Sequence, residues 1–372
     1  MRIGLNALLC SSGRNYRRTG VSRYIDELVR HLALLEPDVE LIAYTNRGFE
    51  PDGWNSVRLR RAVIPVGNPT IRIGWELATL PLATMRDRVD VFHGTVNSLP
   101  RGIRAARAVT VHDLAFLRYP DQVTGKRYRY LKWMVESSIQ RAEVVLTPSE
   151  ATRADVIDSF AIGPERVVAT PLGVDKGFRP ASRESIVAVR SQYRLERPYI
   201  LTVGTLEPRK NLPMLLRAFA AMKGEIPHDL VLAGPAGWLM DDIERTIVAA
   251  GIDDRVRRIG FAEDQALVAL YSGADLVAIP SLYEGFGLPV IEAMATGAPV
   301  LTSNVSSMPE VAGGAALLID PTDLESIIEG IRSVLGSEEL RARMRSDGPL
   351  RAAEFTWQRT ASETLAAYRR IA

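Results

Sequence analysis

Cysteine is nearly absent: Cys10 is the only one in 372 residues. No disulfide can close within the chain, which fits a reducing compartment. Cys10 ends an apolar run and reads as a small buried side chain. Long hydrophobic runs are lacking too. No segment reaches the roughly 20 apolar residues that cross a bilayer as a helix. The opening segment Ile3-Gly-Leu-Asn-Ala-Leu-Leu-Cys10 has a polar break and no cleavage pattern, so it reads as a first strand rather than a signal peptide. A cytoplasmic protein is expected, with peripheral contact at the inner membrane face as a further location. There is no His/Cys/Asp cluster at metal-ligand spacing. There is also no G-x-G-x-x-G after a strand, which sets aside a nicotinamide dehydrogenase. No metal and no nucleic-acid partner are expected.

What is present describes a folded chain. Apolar residues make up 47% and charged residues 24%, with a net charge of +2, values of a globular protein rather than a disordered one. The length exceeds what one core usually holds, so two domains are expected. The halves differ in charge. Residues 1–180 carry 26 Lys/Arg against 19 Asp/Glu, and residues 181–372 carry 20 against 25. A basic first half suits an anionic partner, either a phosphorylated acceptor or an anionic membrane surface. Attraction between the two halves accounts for the same asymmetry equally well.

Strand and helix patterns alternate throughout, the mark of α/β architecture with parallel sheets. In the first half, strands are expected over 2–7, 39–45, 57–64, 89–92, 108–111 and 144–147. Helices are expected over 22–35, where Ile25, Leu28, Val29 and Leu32 form one stripe, and over 149–160 behind a serine cap. The aperiodic stretch 171–180 reads as a hinge. Strands then recur over 199–203, 230–233, 256–259, 275–279, 300–302 and 316–319. A final helix spans about 357–371.

The most informative stretch is Glu284-Gly-Phe-Gly-Leu-Pro-Val-Ile-Glu292. It follows a strand-like run and opens a helix that Gly297 stops. Helix-initial amides lack intrahelical partners, and the helix N-terminus carries partial positive charge, so strand, glycine loop and helix start together make an anion site. Pro289 suits the first helical position, and Gly285 and Gly287 allow close approach of backbone to a ligand. Glu284 lies before the helix, while Glu292, in its first turn, can accept bonds from paired hydroxyls. A phosphate between them with a sugar at each end describes a nucleotide-sugar.

The block EGFGLPVIEAMATG, Glu284 to Gly297, resembles the signature of the retaining GT-B glycosyltransferases of the large group 1 family. Val203-Gly-Thr-Leu-Glu-Pro-Arg-Lys-Asn211 is similar to that family's donor-phosphate loop, with Thr205 where arginine is common. Leu146-Thr-Pro-Ser-Glu150 and Pro171-Leu-Gly-Val-Asp175 resemble its domain-junction landmarks, the latter with Leu172 in place of asparagine. The resemblance spans essentially the whole chain. It implies two Rossmann-like domains with parallel sheets facing each other across a cleft: 1–175 on the acceptor side, 176–355 for the nucleotide-sugar, and 356–372 as a helix crossing back to the first domain.

It implies roles as well. Arg209 and Lys210 would clamp the departing diphosphate, with Gly204 in the same loop, and Glu292 would hold the ribose hydroxyls. Glu284 would lie near the transferred hexose, with Phe286, Gly287 and Leu288 offering backbone amides, and the segment ending at Phe261 would hold the base. His112 would supply polarity around the sugar. Gly20, at the helix start, is expected to give backbone to donor or acceptor, and Tyr16 and Arg17 of the basic first loop, with His93, to face the acceptor. The D-x-D metal motif of the other glycosyltransferase fold is missing, so metal-independent transfer without a cofactor is implied. The loop and the Val111-His-Asp-Leu114 segment look most like polysaccharide and O-antigen mannosyltransferases. GDP-mannose is therefore the expected donor, with UDP-glucose or UDP-N-acetylglucosamine as alternatives, a glycan or lipid-linked saccharide as acceptor, and a silent nucleotide-sugar-binding protein as a remote alternative. The helical segment Lys126 to Trp133, KRYRYLKW, suits either anionic lipid or the cover of a domain edge.

Overall fold

A computed structural model describes residues 1–10, 20–36, 38–237 and 240–372. Two compact units emerge, one of Met1–Gly173 with Thr356–Ala372 and one of Val174–Phe355. The first unit holds strands β1 (Arg2–Ala7), β2 (Glu40–Thr45), β3 (Val57–Arg61), β4 (Val91–Gly94), β5 (Ala106–Thr110), β6 (Val144–Thr147) and β7 (Val167–Ala169). Its helices are α1 (Gly20–Leu35), α2 (Pro69–Ala78), α3 (Leu80–Arg86), α4 (Ala115–Arg118), α5 (Gly125–Arg141) and α6 (Glu150–Phe160). The second unit has β8 (Tyr199–Val203), β9 (Asp229–Ala233), β10 (Val256–Gly260), β11 (Leu276–Ile279), β12 (Val300–Ser303) and β13 (Leu317–Ile319). Its helices are α7 (Arg183–Gln192), α8 (Leu212–Ala221), α9 (Met240–Ala249), α10 (Asp264–Ser272), α11 (Leu288–Ala295), α12 (Met308–Ala312), α13 (Leu324–Gly336) and α14 (Glu338–Ala352). The last helix, α15 (Trp357–Arg369), belongs to the first unit.

Both sheets are parallel throughout, ordered β3-β2-β1-β4-β5-β6-β7 and β10-β9-β8-β11-β12-β13. Strands β4, β6, β9, β11 and β12 are buried along their whole length. Parallel strands covered on both faces need such continuous Val/Ile/Leu runs. Each unit has its own core, one around Ile42, Phe92, Val109 and Ile139, the other around Ile200, Leu215, Phe219 and Ile331. Strand order reverses between β1 and β4 and again between β8 and β11. In open α/β sheets such reversals open a crevice beyond the carboxyl ends of the strands, where ligands bind.

The expected strands lie within a residue or two of the observed ones, with two differences. Strand β3 stops at Arg61, so Ala62, Val63 and Ile64 leave the sheet, and the three-residue β7 was not foreseen. Ser149 caps α6, its Oγ accepting from the Thr152 amide at 3.0 Å. Cys10 is buried, and burial raises its thiol pKa further. Helix α15 packs on α1 and buries Trp357, Leu365 and Tyr368. Thr360 Oγ1 donates to the Pro171 carbonyl at 2.6 Å, and a Cβ added at Gly173 would stand 2.2 Å from the Trp357 amide nitrogen. Only glycine lets the chain leave the first unit that close to its point of return.

Candidate functional site

The second unit's strand reversal places two loops side by side. The loop after β8 turns through Gly204 and a single 3-10 turn at Pro208–Lys210 before α8 begins. The loop after β11 runs from Pro280 to Gly287, the cap residue of α11. Leu282 donates its amide to the Arg209 carbonyl at 2.8 Å, which ties the loops together. Asn211 adopts a left-handed conformation, φ 58°, and its side chain donates to the Pro321 carbonyl at 2.6 Å, fixing the exit into α8.

Glu284 is the focus. Its carboxylate accepts from Lys210 Nζ and from the Arg209 guanidinium, and from Ser281 Oγ at 2.8 Å. Arg209 is bridged in turn to Glu207 at 2.5 Å and donates to the Tyr283 carbonyl at 3.3 Å. Glu284, Lys210 and Glu207 are all buried. Burial alone would raise the Glu284 pKa, but the two cations outweigh it and hold the carboxyl at about 2. Burial pushes the Lys210 ammonium below the usual lysine range, Arg209 adds to that push, and Glu284 opposes it. Gly204, at φ 139°, lies against Lys210, where an added Cβ would stand 3.2 Å from Cε. Gly234, after β9, approaches so closely that a Cβ would stand 2.0 Å from the Gly204 carbonyl oxygen.

Helix α11 begins at Leu288 behind Gly287 in a left-handed conformation, φ 111°. Pro289 is thus the second helical residue rather than the first, and Glu292 the fifth, one turn in. Ser306 and Ser307 brace the approach: Ser307 Oγ lies 2.9 Å from the Glu284 carbonyl and 2.7 Å from that of Phe286, and Ser306 Oγ also reaches the Glu284 carbonyl. The Phe286 ring packs edge-on against Phe355, at 5.6 Å between centroids, so Phe286 is anchored by its side chain and presents backbone. Tyr271 donates its hydroxyl to Glu292 Oε2 at 3.2 Å. Phe261 follows a register shift at the end of β10 and is 40% exposed.

In the first unit, His112 follows β5 and Gly20 opens α1. His112 Nε2 donates to the Thr95 carbonyl at 2.9 Å, its amide donates to Asn97 Oδ1 at 2.8 Å, and its ring meets Tyr24 edge-on at 4.8 Å. Burial lowers the His112 pKa against the opposing pull of Thr95 and Asp113. His93 is placed differently from the sequence expectation. It is fully buried, with Nδ1 2.5 Å from the Tyr368 hydroxyl and Nε2 2.7 Å from Thr110 Oγ1, and both nitrogens are committed inside the fold. That leaves no ring edge to meet an acceptor. Tyr16 and Arg17 lie outside the described residues.

The structure therefore brings Arg209, Lys210, Glu284 and Gly204 together, and sets Phe286, Gly287 and Leu288 at the helix start beside them. Sequence reasoning missed Glu207, Asn211, Gly234, Ser281, Ser306 and Ser307. The Gly234-Pro-Ala-Gly237 turn after β9 and the paired serines after β12 were the signals, since both follow strands neighbouring the reversal.

Residues 188–351 match the family described as glycosyl transferases group 1, and residues 18–178 match glycosyltransferase family 4. The chain is 33% identical over 371 residues to the O-antigen chain mannosyltransferase B of Escherichia coli, covering 95% of this chain and 97% of that one. Among solved structures it resembles sucrose-phosphate synthase from Thermosynechococcus elongatus, with a TM-score of 0.78 at 20% identity over 99% of this chain and 98% of that one. It also resembles HepE of Anabaena in complex with UDP-glucose, with a TM-score of 0.75 at 17% identity over 99% and 100%.

Proposed function

The chain belongs to the group 1 glycosyltransferases and carries their GT-B fold, and from that membership we propose that it moves a hexose from a nucleotide diphosphate to a glycan or lipid-linked acceptor, with retention at the anomeric carbon and without a metal ion. The observation that carries the reading is the meeting of Arg209, Lys210 and Glu284 at the ends of β8 and β11, the two strands flanking the reversal.

In this reading the C1–O bond to the β-phosphate breaks and a C1–O bond to the acceptor forms on the same face. The departing phosphate oxygen takes the acceptor hydroxyl's proton. Charge grows on the diphosphate as the bond breaks, so preorganised cations act where they lower the barrier most. Arg209 and Lys210 supply that charge, and Phe286, Gly287 and Leu288 add the unpaired amides of α11. Both cations bond to Glu284 in this structure, and Arg209 also pairs with Glu207. A diphosphate would compete with that carboxylate for them and leave Glu284 turned to the sugar. Glu292 is assigned to the ribose, Phe261 to the base, Gly204 to close backbone approach, and His112 and Gly20 to the sugar and its acceptor.

Mannose from GDP-mannose is the favoured donor, on the likeness to an O-antigen mannosyltransferase across nearly the whole chain. UDP-glucose or UDP-N-acetylglucosamine is the alternative. A thermal-shift panel of GDP-, UDP- and ADP-sugars selects among them, because a ligand of the native state alone raises the melting point by mass action. Transfer with the selected donor, read by the anomeric configuration of the product, tests the rest. Donor binding with no transfer to any saccharide acceptor would leave only a binding protein.

A further inference from the structure

One face of the first unit carries apolar side chains where solvent-facing polar ones are the rule. On α2 the exposed stripe is Ile71, Gly74, Leu77 and Ala78, while Trp75 turns inward. On α3, Leu82 and Met85 are exposed three residues apart, Leu82 by 67%, and Leu77 is exposed by 52%. A helix that faces water normally turns its polar side outward. Large exposed apolar groups in one neighbourhood mark an interaction surface.

The first half of α5 joins this face. Lys126, Arg127, Arg129, Tyr130, Lys132 and Trp133 are all exposed there. Tyr130 is within electrostatic reach of Arg72 and Glu76 on α2. Trp133 lies 6.4 Å from Tyr130 and takes the Arg101 guanidinium over its ring at 5.0 Å. Gly102, next in the chain, lies against Pro81 of α3, where an added Cβ would stand 3.4 Å away. Helices α2, α3 and α5 and the turn at 101–104 are thus linked into one surface. Among the described residues, Lys126, Arg127, Arg129, Lys132 and Arg104 have no carboxylate in ion-pair range, whereas Arg58, Arg61, Arg107, Arg118 and Arg153 elsewhere in this unit do. The carboxylates nearby are few: Glu76 is half-buried and bonded to Asn6 at 3.1 Å, and Glu136 lies one turn beyond Trp133 on α5.

We propose that this face docks on an anionic phospholipid bilayer, with Ile71, Leu77, Leu82 and Met85 entering the headgroup boundary and the α5 cations meeting lipid phosphates. Unpaired Lys and Arg side chains beside Trp and Tyr suit an interface that is apolar on one side and negatively charged on the other. A protein partner would instead meet five cations with matching carboxylates, and a second copy of this chain would set cation against cation. No described helix is long and apolar enough to cross a membrane, so attachment here is to the surface.

Co-sedimentation of the full chain with vesicles of phosphatidylcholine alone, and of phosphatidylcholine with one third phosphatidylglycerol, tests this directly and does not depend on the donor or acceptor. The wild type is expected to pellet with the anionic vesicles, less so as salt rises. The double variant Lys126→Glu/Arg129→Glu should bind at least about tenfold more weakly, given the contribution of each basic side chain near an anionic surface. Leu77→Ser/Leu82→Ser should weaken binding that persists at high salt. Unchanged melting points and circular dichroism show that both variants fold. Failure of the wild type to pellet, equal pelleting with neutral vesicles, or indifference to the charge reversal would overturn the proposal. So would a wild-type dimer that Leu77→Ser/Leu82→Ser converts to monomer, which would make a second copy the occupant.

Discussion

Lys210 Nζ donates to Glu284 Oε1 across 74 residues of chain, and the bond joins the loops that follow β8 and β11. It sets a buried cation and a buried anion against one another where the proposed mechanism needs the cation for a diphosphate. The first prediction concerns that cation. Lys210→Met should lower kcat by about a hundred- to a thousandfold, the usual cost of removing one preorganised group that stabilises developing charge. Steady-state kinetics with the selected donor measures it, and near-normal kcat would end the clamp assignment.

Glu292 offers a separation of roles. Glu292→Ala should weaken nucleotide binding more than it slows bound donor, because a hydroxyl contact made equally in ground and transition state appears in KM. Its neighbour Tyr271 provides the control. Tyr271→Phe removes the hydroxyl that Glu292 accepts from and should change the dissociation constant far less. Calorimetric titration with the free nucleoside diphosphate distinguishes the two, and equal losses would assign Glu292 to the fold alone.

With Arg209 and Lys210 assigned to the diphosphate as proposed, transfer should persist after dialysis against EDTA. Rates measured before and after, with and without added magnesium, decide this. Complete loss restored by magnesium would replace the cationic clamp with a divalent ion.

The buried His93 makes a prediction about stability. Burial lowers its pKa from 6.5 to about 3, with His112 adding to the shift. Below pH 6.5 the unfolded chain binds a proton that the native chain refuses. Stability therefore rises with pH across that window, by up to about 1.4 kcal/mol per pH unit for one such group. His112 is lowered as well, so His93→Gln should flatten the slope rather than abolish it. Glu284 adds a loss of the same sign, but only once pH falls below about 4.5, its unfolded value. Urea midpoints between pH 5 and 6.5, compared between wild type and variant, single out His93, because the half-buried Glu76, whose raised pKa acts with the opposite sign there, is common to both. Parallel slopes in wild type and variant would refute the account.

The fold was legible where side chains are dictated by burial on both faces. Runs such as Tyr199-Ile-Leu-Thr-Val203 admit few readings, and the strand-glycine-helix succession around Glu284 carried the site. Strand β7 escaped because three residues hold no period. Helices α2 and α3 escaped because their apolar residues face outward as well as inward, so no stripe separates core from solvent. The supports of the site were only partly legible, for another reason. The paired serines follow β12, beside the reversal, but Ser306 and Ser307 reach Glu284 from more than 20 residues away, and nothing local in their sequence names that partner. His93 illustrates the opposite error. A histidine at a strand end looks available, yet Tyr368, 275 residues later, closes on its ring.

The second unit is inserted within the first, which leaves at Gly173 and resumes at Thr356. The segment from Val174 to Phe355 is contiguous, whereas the first unit, although all seven strands of its sheet precede Gly173, receives the helix α15 that packs on α1 only after the second unit has been synthesised. Shortening the C-terminus by a few turns would injure the amino-terminal half, and the segment 174–355 expressed by itself is the piece with a chance of folding alone.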